Sequence, residues 1–252
     1  MIEKPHKARL RTPFVLARSS RFAYECRACK RCCRHKTIPV TPYEVACIAA
    51  ALGTSTTVVL TRFTDHGGAT LAVREDGTCV FLGTDGCTVH AGRPIACRLY
   101  PLGRKRDGDG TERFAELAPH PASEGVYGEG GTVEEFLGGQ DVDRHLAETD
   151  RYLEVLKRMM EALARAPEAG DVRDDATAAL GRPPVAEDGA LLDMDVVVER
   201  WCLEHGRTLP RDVESKNRLH LEALDAFVVR LEERRSGVLV SADRRGPSPL
   251  GT

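Results

Sequence analysis

Cys26-Arg-Ala-Cys29-Lys-Arg-Cys32-Cys33 packs four thiols into eight residues, and Cys79, Cys87 and Cys97 follow within the next 64. Seven of the nine cysteines therefore fall between residues 26 and 97. Thiolates this crowded repel one another and oxidise readily unless they share a positive charge. A metal ion or an iron–sulfur cluster supplies it, keeping each sulfur deprotonated and pinning the loops that carry it. The expected ligands are Cys26, Cys29, Cys32, Cys33, Cys79, Cys87 and Cys97. The expected fold is α+β: a small irregular cysteine domain of short strands and helices organised by metal, followed by a helical C-terminal half.

Composition agrees with a folded chain of modest core. Hydrophobic residues make up 42% and charged residues 29% of the 252 positions, as in a soluble globular protein. Aromatics are only 5%, which argues against a core built on stacked rings. No apolar run reaches the roughly 18 residues that a membrane-spanning helix needs. Met1–Ser20 is basic and has no secretory apolar stretch, so the expected compartment is the reducing cytoplasm, where thiols persist. An odd cysteine count points the same way, against a disulfide framework.

The near-neutral total hides an asymmetry. Residues 1–38 hold eleven Lys and Arg against Glu3 and Glu25, whereas residues 132–175 hold twelve acidic and six basic side chains. The basic end offsets a thiolate-rich centre. Nucleic acid is not the expected partner, because no stacking aromatics interleave the basic residues.

Around the cysteines, periodicity and punctuation divide the chain. Residues 1–20 read as a basic arm, 21–137 as the cysteine domain, 138–235 as a helical region and 236–252 as a tail. Thr41-Pro42-Tyr43-Glu44 is a capping box with proline at the first helical position, and Gly53 closes that helix. Val45, Ile48, Ala49 and Leu52 share its apolar face. A second helix spans Thr56–Phe63. Ala69–Val73, Cys79–Leu82 and Cys87–His90 read as short strands separated by the turn dipeptides Asp76-Gly77 and Asp85-Gly86. Leu99–Lys105 and Glu112–Leu117 flank Asp107-Gly108-Asp109-Gly110 as a hairpin. Residues 119–131 are rich in Pro and Gly and read as a loop or linker. Thr132-Val-Glu-Glu135 is a second capping box. Beyond it Val142, Leu146, Thr149, Leu153, Leu156, Met160 and Leu163 form an amphipathic seam. Residues 166–190 read as a loop. Helices at 193–205 and 212–235 follow, the first with Val198, Trp201, Cys202 and His205 on one stripe.

Ligand arithmetic leaves several arrangements open. One closed tetrahedral site uses four sulfurs. Seven thiolates can form such a site plus a three-ligand site with an open position, or two sites sharing one sulfur, or a single 4Fe–4S cluster with three sulfurs over. Adjacent residues project in different directions, so Cys32 and Cys33 are not expected on one metal without strain. His35 and His90 lie within ligand spacing but read more simply as surface or hydrogen-bonding histidines. Cys47 and Cys202, each inside a helix, read as small buried apolar residues. Arg93 and Arg98 either neutralise thiolates or bind an anion, or else brace a turn through backbone carbonyls.

Cys26-x2-Cys29-x2-Cys32-Cys33, Cys79-Val-Phe-Leu82 and Gly86-Cys87-Thr-Val-His90-x2-Arg93-Pro94-x2-Cys97-Arg98-Leu-Tyr-Pro101 resemble, in that order, the YkgJ-type cysteine-cluster family. That family is described as zinc- or iron-chelating, with some members called iron–sulfur-cluster-containing, and the flagellin lysine-N-methylases look related. The resemblance covers about residues 22–137. Relatives often carry a further Cys-Pro-Gly, to which Ser123-Glu124-Gly125 corresponds here, so an eighth thiolate is missing. The resemblance implies zinc or iron as cofactor and an accessory, chelating or redox role. A lysine N-methylase-like enzyme acting on a protein substrate is the alternative. The chain shows neither a glycine motif for S-adenosylmethionine nor a Cys-x3-Cys-x2-Cys run. A structural zinc that serves a protein partner is the third reading.

Overall fold

The computed structural model describes residues 10–164 and 190–235. Its architecture is α+β, with short two-stranded sheets in the N-terminal half and helices beyond. Of the expected segments, residues 1–9 of the basic arm, residues 166–189 of the loop read at 166–190, and the tail 236–252 lie outside the described residues.

Strand β1 (Arg21–Glu25) leads into the quartet, where Arg31–Cys33 forms one 3-10 turn. Helix α1 (Pro42–Leu52) starts at the anticipated box: the Thr41 hydroxyl accepts from the Glu44 amide, and the Glu44 carboxylate accepts from the Thr41 amide at 2.7 Å. Gly53, at φ +64°, closes it in the left-handed conformation that glycine adopts without strain. Val45, Ile48 and Ala49 are buried as expected, but Leu52 is exposed, because the last turn runs past the core that α1 covers. Helix α2 (Thr56–Phe63) is capped by Ser55. Strands β2 (Thr64–Asp65) and β3 (Thr70–Leu71) pair antiparallel.

Two expected strands do not form. Residues 79–82 and 87–90 make only single bridges, Val73 to Cys79 and Leu82 to Cys87, between turns at glycines of positive φ (Gly77 and Gly86). Side-chain bonds replace a ladder: Arg74 donates to the carbonyls of Leu82 (2.9 Å) and Val80 (2.7 Å). Helix α3 (Ile95–Leu99) follows and carries Cys97.

The expected hairpin forms from β4 (Leu102–Arg106) and β5 (Glu112–Glu116), closed by Asp107 N to Thr111 O at 2.9 Å, but its first strand starts three residues later than read because Leu99 ends α3. The loop expected at 119–131 is half strand. β6 (Val126–Thr132) pairs antiparallel with β1, Tyr24 opposite Tyr127, an association between segments a hundred residues apart that local composition cannot signal. Residues 10–20 run beside β5, where Leu16 and Phe114 exchange backbone hydrogen bonds. Arg18 joins Glu112, Glu134 and Asp143 of three elements at 2.7–2.9 Å.

The second capping box opens α4 (Val133–Gly138), and α5 (Val142–Ala164) follows. The α5 seam is corrected along its second half. Val142 and Leu146 are buried, but Leu153, Met160 and Leu163 are exposed; the covered stripe is Val155, Met159 and Ala162. Two parallel stripes lie one residue apart on this helix, and α7 (Val213–Arg235) covers the second with Leu224, Phe227 and Val228. Helix α6 (Met194–Glu204) sets Met194, Val198 and Cys202 against Ala46 of α1, while Trp201 stacks on the exposed His205. Asp193 accepts from Thr56 and Thr57 at 2.6 Å each, tying the start of α6 to that of α2. Among the described residues no single helix is long and apolar enough to cross a membrane.

Two apolar cores dominate the first half. One gathers Phe22, Leu99, Leu102, Phe114 and Leu137; the other gathers Val45, Ile48, Val59, Phe81 and Val89. Glu44 bridges them: buried in α1, its carboxylate also accepts from the Ile95 amide at 2.6 Å, fixing where α3 begins. Cys79 and Cys87 pack against the second of these cores.

Candidate metal centre

The second half of the quartet meets the later trio. The Cys79 amide donates to the Cys33 carbonyl at 2.9 Å, and Arg34 bridges to Thr78, which lays the 3-10 turn against the loop that follows β3. Cys32 and Cys33 point to the same side, their Sγ atoms 3.9 Å apart. Cys33 lies within electrostatic reach of Cys97 and Cys79, Cys79 of Cys87 and Cys32, and Cys97 of Cys79, Cys87 and Cys32. Cys26 is exposed at the end of β1, and Cys29 is half-buried with its sulfur 4.0 Å from the Ser123 hydroxyl.

Electrostatics grades the thiols. A hydrogen bond from the Cys33 thiol, with help from the Lys36 ammonium and against the opposing effect of burial, brings Cys32 down to about 6. Cys33 is correspondingly raised, by donating that bond and by burial. Cys97 is pushed up to about 12 by burial and by its neighbouring sulfurs, and burial also raises Cys79. At Cys29 burial opposes ionisation, but the amides of Glu124 and Arg31 and the Ser123 hydroxyl outweigh it and lower the value.

The donor set suits zinc or iron in kind: soft sulfurs from five segments, with Lys36 beside them. Zinc–sulfur bonds of about 2.3 Å imply tetrahedral S···S edges of about 3.8 Å, near the Cys32–Cys33 separation of 3.9 Å. The two sulfurs thus stand closer than the divergence expected of adjacent residues. As the side chains lie, no three Cys, His, Asp or Glu among the described residues stand close enough to hold one ion in common. Binding would have to draw the sulfurs inward by side-chain rotation.

The other candidates settle differently. His90 is exposed and its Nδ1 meets the Arg93 guanidinium at 3.0 Å. The His35 ring packs on Gly77, where a Cβ would stand 2.3 Å from Nδ1. Arg98 is buried and donates to the carbonyls of Arg93 (3.0 Å), Gln140 (3.0 Å) and Ala91 (2.6 Å); Arg93 donates to His90 O and Gln140 Oε1. Both arginines brace the turn that delivers Cys97. Cys202 is buried in the α6 core. Cys47 is raised to about 11 by burial.

Sequence reasoning missed three neighbours of the cluster. Lys36 Nζ stands 3.6 Å from the centroid of Tyr100, and Tyr24 feels Cys26, Cys29 and Cys32. Tyr24 packs edge-on to both Tyr100 and Tyr127. Lys36, three residues past the quartet, was one basic residue among eleven, and nothing local marked the tyrosines.

Thiols gathered from separate stretches of a chain are the donor set of cysteine-rich zinc and iron sites. Residues 25–116 match the CxxCxxCC family model, described as "Putative zinc- or iron-chelating domain". Neither the curated proteins nor the solved structures give a match.

Proposed function

We propose that Cys26, Cys29, Cys32, Cys33, Cys79, Cys87 and Cys97 hold zinc or iron, and that the protein is an accessory metal-binding protein with a chelating or delivery role in a reducing compartment. The observation that carries this reading is the approach of Cys32 and Cys33 to Cys79, Cys87 and Cys97 at one junction of the fold. An ion bound there would supply the counter-charge for the thiolates. The chain's own residues position it: Arg93 and Arg98 fix the α3 turn, Glu44 fixes its start, and Lys36 adds positive charge. Neither arginine is free to grip a substrate anion, which weighs against the enzyme reading.

Elemental analysis of protein purified without oxygen tests this. Stoichiometric zinc or iron that is lost in a Cys79→Ser, Cys97→Ser variant supports it. Metal-free protein that cannot be loaded under reducing conditions overturns it. Brown protein with acid-labile sulfide would select the 4Fe–4S form.

A further inference from the structure

We infer that Cys32 and Cys33 are a redox switch: oxidation joins them as a disulfide, and the centre loses the two sulfurs through which the quartet meets the later trio. What this does to bound metal rests on the metal-binding reading above; the disulfide itself is a property of the chain alone. The Sγ atoms of the pair stand 3.9 Å apart. Their neighbours are otherwise engaged. Cys29 faces the Ser123 hydroxyl at 4.0 Å, Cys26 is exposed just past β1, and Cys79 and Cys87 pack against an apolar core. A disulfide spans about 2.05 Å, so the two sulfurs have to close by about 1.9 Å. Rotation about the Cα–Cβ bonds covers that gap, and both side chains are only half-buried, which leaves room to turn and lets a small oxidant in. The backbone beneath them is held. The Cys33 amide donates to the Lys30 carbonyl at 3.2 Å, and the Cys33 carbonyl accepts from the Cys79 amide at 2.9 Å.

Hydrogen peroxide is the oxidant, and the step balances. One sulfur attacks a peroxide oxygen, the O–O bond breaks, and a sulfenic acid and water form. The neighbouring thiol then attacks that sulfur and expels a second water, so two thiols and one peroxide give one disulfide and two waters. Lys36 lies within electrostatic reach of both sulfurs, its ammonium 3.6 Å from the centroid of the Tyr100 ring, and such positive surroundings are where cysteines react. Adjacent α-carbons sit about 3.8 Å apart, inside the roughly 4.4–6.8 Å of ordinary disulfides. The bond is therefore strained, and a dithiol reopens it while becoming a disulfide itself. Cys33 lies within reach of Cys79 and Cys97, and so does Cys32. The thiolate is the metal ligand, so joining the pair withdraws both donors from that junction at once.

Trypsin cuts after Arg31 and Arg34, which isolates the pair as the tripeptide Cys32-Cys33-Arg34. Full-length protein loaded with zinc is treated with hydrogen peroxide, its free thiols are alkylated, and the digest is weighed by mass spectrometry beside a chromogenic assay of released zinc. The tripeptide should appear unalkylated and lighter by two hydrogens, in step with zinc release, and dithiothreitol should reverse both. Lys36→Met, which keeps the stem and removes the charge, should slow disulfide formation about tenfold. A disulfide that maps to any other pair, a tripeptide alkylated twice while zinc leaves, an oxidised pair that keeps its zinc, or an unchanged rate in Lys36→Met would each overturn the switch. Reduced protein that joins this pair under peroxide yet takes up no metal would instead sink the metal-binding reading and leave the disulfide standing.

Discussion

Replacing Arg98 with methionine removes three hydrogen-bond donors while keeping an apolar stem of similar length in place. The side chain is 5% exposed and serves the carbonyls of Arg93, Ala91 and Gln140 at 2.6–3.0 Å. A buried acceptor left unpaired costs roughly 1–3 kcal/mol, and three are created. Part of this is offset because the buried guanidinium no longer has to be desolvated. The balance is a destabilisation of about 3 kcal/mol. In a chain of this size each kcal/mol moves the midpoint by about 2–4 °C, so Tm should fall by about 6–12 °C. Thermal unfolding followed by circular dichroism at 222 nm, on metal-loaded protein, reads it. If Tm moves by less than about 2 °C while metal affinity collapses, Arg98 neutralises thiolates and the bracing argument is wrong.

Three further outcomes follow from the packing. Gly92→Ala should destabilise by about 1–3 kcal/mol in urea unfolding, because its Cβ would lie 2.4 Å from the Cys47 carbonyl oxygen, backbone against backbone; an unchanged midpoint would refute the close approach. Leu153→Glu and Met160→Glu, on the exposed stripe of α5, should stay within about 0.5 kcal/mol of wild type, whereas Met159→Ala, on the covered stripe, should cost about 2–4 kcal/mol. The reverse order would restore the seam read from sequence. Burial lowers His145 and His220 to about 4. Their unfolded forms, near 6.5, take up protons first, so the stability they contribute is complete above 6.5 and lost as pH falls toward 4. Between pH 7 and 5 the pair should account for about 2–4 kcal/mol. A His145→Gln, His220→Gln variant isolates this from acid loss of metal, and the same pH slope in variant and wild type would refute it.

Legibility in the sequence followed the range of the forces involved. Both capping boxes, Thr41 with Glu44 and Thr132 with Glu135, are satisfied within four residues, so both helices begin where they were read. The hairpin around Asp107–Gly110 is equally local. The pairing of β1 with β6 was hidden because Gly125–Gly131 has the composition of a loop; Arg21–Glu25 supplies its partner strand, and Phe22 packs edge-on to Tyr127. On α5 two apolar stripes of equal spacing compete, and only α7, sixty residues on, chooses between them.

The centre divides the same way. Its sulfurs were legible because nothing else explains seven cysteines in 72 residues. Their surroundings were not, since Lys36 and Tyr24 are ordinary residues until the fold sets them beside the cluster; Ser123 was marked only through the resemblance, and its approach to Cys29 comes from the fold. The failed strands at 79–82 and 87–90 belong to this argument. A ladder there would aim alternate side chains to opposite faces, sending neighbouring sulfurs apart along fixed directions. Turns at Gly77 and Gly86, stitched by Arg74, instead let Cys79 and Cys87 lean toward Cys97. Irregular backbone is the condition for gathering sulfurs from so many segments, and the same irregularity removes the alternation by which strands are recognised.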